Sequence, residues 1–222
     1  MKSSRWQLFF TVLALLAGAV SPNLFVVAQA GYAKLSHLAV VFLIPSIILL
    51  GIVILAVKTS GYRNLGRQIY IGLLAGILAT LGLEVVREIG FRLGGMPGEM
   101  PQLMGVLMLD RFAMGPNWLS NLVGWAYHFW NGASFGLVYS LLLGRPPAWS
   151  GVVFGILIGV GLMISPVVVA MGVGIFGSQF GIGFPITVIL AHIAFGLILG
   201  NFVVRKNRDA VSLWGRLKTA IL

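Results

Sequence analysis

Few side chains in this sequence can carry charge, move a proton or bind a metal, and those that can fall into three patterns. Glu84, Arg87 and Glu88 stand at i, i+3 and i+4, so one helix face can hold all three and Arg87 can pair with either acid. Inside a bilayer such a set offers a proton or cation relay; at a helix end it is an ion pair that fixes helix depth. His128 and His192 each open the pattern His-x-x-x-Gly-x-x-x-Gly, through Gly132 and Gly136 in one and Gly196 and Gly200 in the other. Two facing imidazoles could ligate haem iron or another metal, pass protons, or hydrogen-bond a neighbouring helix. Tyr127 and Asn131 bring further polar groups close to His128. Met96, Met100, Met104 and Met108 recur every four residues. Thioethers at that spacing can bind copper(I), or they can serve as flexible apolar filler. They predict a short helix starting near Pro101, ended by Asp110 and Arg111, with its methionine side toward the membrane.

The elements that must position these groups follow from composition. The chain is 59% hydrophobic and 9% charged, with a mean hydropathy of +1.00, whereas a soluble domain carries about 25% charged residues. Six uncharged or nearly uncharged runs, at about 8–30, 37–57, 69–86, 118–143, 152–173 and 184–204, are each long enough to cross a hydrocarbon core of ~30 Å as a helix. Continuous rather than alternating hydrophobicity argues for helices over a barrel. The expected fold is therefore all-α, a polytopic transmembrane bundle of six spans. Pro22 and Asn23 are expected to kink or end the first of these. The alternative for that segment is a signal peptide, with Lys2 and Arg5 before an apolar run and Ala28-Gln29-Ala30 as a cleavage site. The absence of cysteine excludes disulfides, iron–sulfur clusters and thiol chemistry.

The bundle reads as a parallel duplicated helical hairpin, spans 3–4 and 5–6. The run from Gly72 to Leu78 matches that from Gly151 to Leu157, and the two His-Gly-Gly patterns follow at corresponding places. Residues 1–204 form one transmembrane domain, with an N-terminal hairpin (1–68), a first repeat hairpin (69–144) and a second (145–204). Small and polar residues recur at steps of four: Gly72, Gly76, Thr80, Glu84 and Glu88 form one line, His128, Gly132 and Gly136 another. Such lines share a helix face and let backbones approach closely, which is how membrane helices associate. Residues 205–222 read as an amphipathic tail on the cytoplasmic leaflet, with Val211, Trp214, Leu217 and Ile221 on one face and Arg208, Arg216 and Lys218 mostly elsewhere.

Charge sets the expected orientation. Eleven basic residues (Lys2, Arg5, Lys58, Arg63, Arg67, Arg145, Arg205, Lys206, Arg208, Arg216 and Lys218) collect at one end of this topology, with Asp209. The other end has Lys34, Arg87, Arg92 and Arg111 against Glu84, Glu88, Glu99 and Asp110. Both termini are then cytoplasmic. The partners are the lipid bilayer, anionic lipids at the cytoplasmic face, and other membrane subunits or a second copy, and the basic balance reports topology rather than nucleic-acid binding.

Neither a nucleophile–base–acid set nor a phosphate-binding glycine fingerprint can be assembled, so the reading leans away from an enzyme. The leading expectation is a small membrane subunit or a proton or small-solute conduit centred on Glu84, Arg87, Glu88, His128 and His192. A haem b electron-transfer subunit using both histidines and a purely structural accessory subunit are the alternatives. The segments 72–80, Gly95-Met96-Pro97, 128–136, 180–185 and 192–200 resemble the uncharacterised bacterial inner-membrane proteins related to YagU. That resemblance covers about residues 69–204. It implies an inner-membrane helical fold and brings no substrate or catalytic residue with it.

Overall fold

A computed structural model describes residues 4–221; Lys2, counted above with the basic end, lies outside them. The chain is all-α. In order, the helices are α1 (Ser4–Gln29), α2 (Leu35–Thr59), α3 (Arg63–Arg92), α4 (Met100–Met108), α5 (Trp118–Leu143), α6 (Trp149–Met163), α7 (Pro166–Ala170), α8 (Gly183–Lys206) and α9 (Leu213–Ile221). Four of them, α1, α2, α3 and α8, are long and apolar enough to cross a membrane. Their outer faces carry large exposed apolar side chains, such as Ile48, Ile52 and Leu55 on α2 and Ile186 and Leu190 on α8. In water that surface would drive association; against lipid it costs nothing. The chain is a multi-span membrane protein.

Local sequence explains most boundaries. Asn117 and Ser120 form a reciprocal capping box that starts α5, and Gly144, in the left-handed region at φ 70°, ends it. A Cβ at Gly144 would press on the backbone of Val211 and Ser212, so this turn also seats the tail. Within α2, Ala39–Leu43 is a π-helical segment just before Pro45. Pro45 has no N–H to give the preceding turn, and the wider turn accommodates its ring. Pro22 does not end α1, which runs unbroken as helix to Gln29. The expected span at 152–173 is not one helix. Pro166 cannot donate into the preceding turn, α6 stops at Met163 after 15 residues, and Ser165 caps the short α7. At 1.5 Å per residue α6 is only about 22 Å long.

α3 is the organising element, packed along most of its length against α5 and α8, while α6 packs on α8, α4 on α5, and α1 on both α2 and α5. The crossings are made through glycine. A Cβ at Gly72 would strike Gly136 and one at Gly76 would strike Gly132, joining α3 to α5. Likewise Gly151 meets Gly196 and Gly200, and Gly155 meets His192 and Gly196, joining α6 to α8. Around these crossings lie apolar clusters, among them Val53, Val57, Leu65, Ile69, Leu137 and Leu141, all nearly inaccessible.

The methionine series sits differently from expectation. α4 begins at Met100, but Met100 and Met104 face inward and pack with Leu24, Phe25, Tyr127 and Val167. Met108 is half-buried beside the same cluster, and Met96, in the preceding turn, belongs to another with Met163, Val168 and Phe184. The methionine side of α4 meets protein because α4 is folded back onto α5, where Gly105 and Gly124 let the two backbones touch. The tail is a second correction. Trp214 and Ile221 are exposed as an interfacial helix requires, but Arg216 is buried, turned into the protein.

Candidate functional site

Glu84, Arg87 and Glu88 lie near one end of α3, with Glu84 and Arg87 buried and Glu88 half-buried. Helical spacing sets Arg87 Nε 2.8 Å from Glu84 Oε2. The guanidinium continues outward, donating from Nη2 to Glu99 Oε2 at 2.8 Å, with Glu88 3.9 Å away. Glu88 in turn accepts from Arg92 Nε at 2.8 Å. Arg87 Nη1 is buried and has no hydrogen-bond partner among the described residues.

The network reaches α5 through His128. Its Nε2 lies 2.9 Å from the other carboxylate oxygen of Glu84, Oε1. Glu84 thus bridges a permanent cation and the imidazole, one oxygen to each. The Gly72–Gly136 and Gly76–Gly132 contacts bring α3 and α5 close enough for this, since both groups extend the same glycine lines. Trp125 and Phe129 pack around the imidazole at 6.0 and 6.2 Å between ring centres. The Glu84 carboxylate is thus held at both oxygens by charge-assisted or polar hydrogen bonds.

His128 also lines a cavity of about 170 Å³ between α1, α3, α5 and α8, together with His192, Asn131 and Thr80 on its polar side and Phe135, Leu162 and Phe195 on its apolar side. His192 is buried, with Nδ1 2.8 Å from the carbonyl of Val188 one turn earlier on α8. Gly159 on α6 makes room for its ring. The two histidines therefore share one cavity. They differ in setting: His128 is turned to a carboxylate, His192 to a backbone carbonyl. The volume is ample for several waters but lies below the roughly 300 Å³ at which small-molecule sites begin. With His128 Nε2 turned to Glu84 as well, the arrangement does not fit a haem held between the two rings. Among the described residues no group of three or more His, Asp or Glu side chains is placed to hold a metal ion.

Tyr127 and Asn131 do not turn to His128. Tyr127 donates to the carbonyl of Ser21 at 2.8 Å, and Asn131 Oδ1 accepts from the Ser21 hydroxyl at 2.5 Å, so both anchor α5 to α1. Two members of the network were not singled out from sequence, Glu99 and Arg92. Arg92 stands at i+4 from Glu88, a readable signal. Glu99 is twelve residues beyond Arg87, and only the Gly94–Gly95 reversal, with Gly94 at φ 79°, returns it to the helix. The Glu84–His128 pair also had a signal: two small-residue lines that cross antiparallel leave their polar ends facing.

The described residues hold a second buried polar cluster, at the other end of the bundle. Gln68 donates to the carbonyl of Ser140 at 2.6 Å, Asn207 donates to the Ser140 hydroxyl at 2.9 Å, and Arg216 donates to Gln68 Oε1 at 2.6 Å and Gln7 Oε1 at 3.0 Å. It ties α1, α3, α5 and α9 together with the turn after α8.

No curated protein and no solved structure matches the chain. A family model matches residues 66–211, more than half of the chain, and its span takes in the whole Glu84 network and both cavity histidines. The chain belongs to that family, the family of unknown function DUF6789.

Proposed function

We propose that this protein is a proton conduit, or the proton-handling subunit of a larger membrane assembly, embedded in a bacterial inner membrane with both termini cytoplasmic. The observation that carries the reading is Glu84, buried in a membrane-spanning helix with Arg87 on one carboxylate oxygen and His128 on the other. Burying charge in a bilayer is costly, and a protein that needed only packing here would do better with apolar residues. The chain of contacts Glu99, Arg87, Glu84, His128 leads from a partly exposed carboxylate at the outer rim to the cavity shared with His192. Proton entry at Glu99, passage by water past the permanently charged Arg87 to Glu84 and His128, and onward passage by water to His192 is the mechanism this order supports.

The six-span architecture belongs to the same proposal, with α5 and the α6–α7 segment as the remaining spans. So does the duplication: Gly72–Gly136 corresponds to Gly151–Gly200, and Gly76–Gly132 to Gly155–Gly196. The resemblance to YagU-related proteins over about 69–204 belongs to the proposal too, and rests on the glycine and histidine spacing together with the Gly95-Met96-Pro97 and 180–185 segments.

The test is proton flux into liposomes containing purified protein and a pH-sensitive dye. Glu84→Gln and His128→Gln should each lower flux at least tenfold, while Lys58→Gln, at an exposed residue outside the network, should leave it within twofold. Equal flux in all four proteins would remove the conduit reading and leave a structural subunit.

A further inference from the structure

At the end of the bundle opposite the Glu84 network, Arg216 is only 4% exposed, yet it makes no ion pair among the described residues. Its two hydrogen bonds go to neutral amide oxygens, of Gln7 and Gln68, and its Nε has no partner. A buried guanidinium is ordinarily matched by an anion, because two amide dipoles do not replace the hydration of a full charge. Burial pushes it down to about 10 from the usual 12.5, so it remains charged at neutral pH and its burial disfavours the folded state there unless an anion joins it.

Arg216 lines an open cleft of about 840 Å³ that Arg5, Arg63, Asn64 and Thr219 also line. Among the described residues one carboxylate lines it as well, Asp209, which lies 4.0 Å from Arg67. The cleft is thus bordered by guanidinium groups at two levels, one fixed in its wall and others at its exposed rim. Behind Arg216, Gln68 is itself hydrogen-bonded to the carbonyl of Ser140, whose hydroxyl accepts from Asn207. The helix that carries Arg216 also exposes Trp214 and Ile221, with Lys218 over the Trp214 ring at 5.5 Å. A helix with an exposed tryptophan and a lysine beside it sits at the level of lipid headgroups.

We propose that this cleft is an anion site that takes a phosphate group, with Arg216 as the buried anchor and Arg63 as the rim contact. A guanidinium offers paired donors that match phosphate oxygens. The phosphate is supplied either by the headgroup of an anionic lipid, reached from the interface beside Trp214, or by free phosphate from solution. Gln7, Arg63 and Arg216 lie outside residues 66–211, so the site is assembled largely from parts of the chain beyond the family match.

Native mass spectrometry of the full chain in detergent tests this, with phosphatidylglycerol, phosphatidylcholine and inorganic phosphate as separate probes. The wild type should retain phosphatidylglycerol at least fivefold over phosphatidylcholine. Arg63→Gln and Arg216→Gln should each abolish that preference, and Lys58→Gln, an exposed basic residue away from the cleft, should keep it. If inorganic phosphate binds and displaces phosphatidylglycerol, the site takes the group from solution; if only the lipid binds, it is a headgroup site. Arg63 is exposed, so its variant tests the site even where Arg216→Gln fails to fold. Retention unchanged in Arg63→Gln, equal loss in Lys58→Gln, or binding of neither probe by the wild type would overturn the proposal.

Discussion

Glu84 decides what the other polar residues of the upper bundle can do. Its two oxygens are divided between Arg87 and His128, at 2.8 and 2.9 Å, and its side chain is 10% exposed. Removing it leaves Arg87 with Glu99 as its close acidic partner and leaves His128 without its carboxylate. Breaking a buried pair from one side costs about 3–5 kcal/mol, since the remaining charge is uncompensated. Glu84→Ala is expected to lower unfolding stability by that amount in a denaturant titration; a loss below about 1 kcal/mol would mean that the pair is solvated rather than buried. At this scale the sequence was readable where residues share a helix. The i, i+3 spacing from Glu84 to Arg87 needed no knowledge of the fold. The 2.9 Å approach of His128 did, because it depends on how far α3 and α5 slide along each other. Arg216 was misread for a related reason. A basic residue on an amphipathic tail ordinarily snorkels outward, and the Gln7 and Gln68 oxygens that hold it come from 209 and 148 residues away.

Between elements, glycine sets the distances. The α3–α5 crossing depends on Gly76 and Gly132, whose backbones would overlap with any added Cβ, while Gly161 on α6 has open space around it. Gly76→Ala should therefore cost about 1–3 kcal/mol by overpacking. Gly161→Ala should be neutral or slightly stabilising through helix propensity, by up to about 1 kcal/mol. Thermal unfolding midpoints in detergent compare the two directly, and equal midpoints would contradict the crossing described here. These glycine lines were legible because a period of four in small residues marks a helix face. The break of the fifth apolar run at Ser165-Pro166 was less so. Its composition is continuous, and only the missing N–H of Pro166 marks the place. The orientation of α4 was not legible: methionine at helical spacing serves a lipid face and a protein face equally well.

Across the molecule, charge is separated by end. Lys34 pairs with Asp110 and Arg87 with Glu99 at one end. At the other, Arg67 reaches the carbonyl of Lys206, Arg145 that of Val204, and Ser4 that of Thr219. The Glu84 network belongs to the first end and the Arg216 cleft to the second, with the histidine cavity between the helices that join them. Two buried polar clusters thus lie at opposite ends of a molecule whose outer faces are apolar, with the cavity lined by His128 and His192 between them. The most direct test is proton uptake by liposomes containing only the wild-type protein, driven by a potassium diffusion potential that is negative inside. The conduit account predicts acidification of the interior well above that of protein-free liposomes, which reach the same level only when a protonophore is added. Interior pH that follows protein-free liposomes at every imposed potential would contradict it.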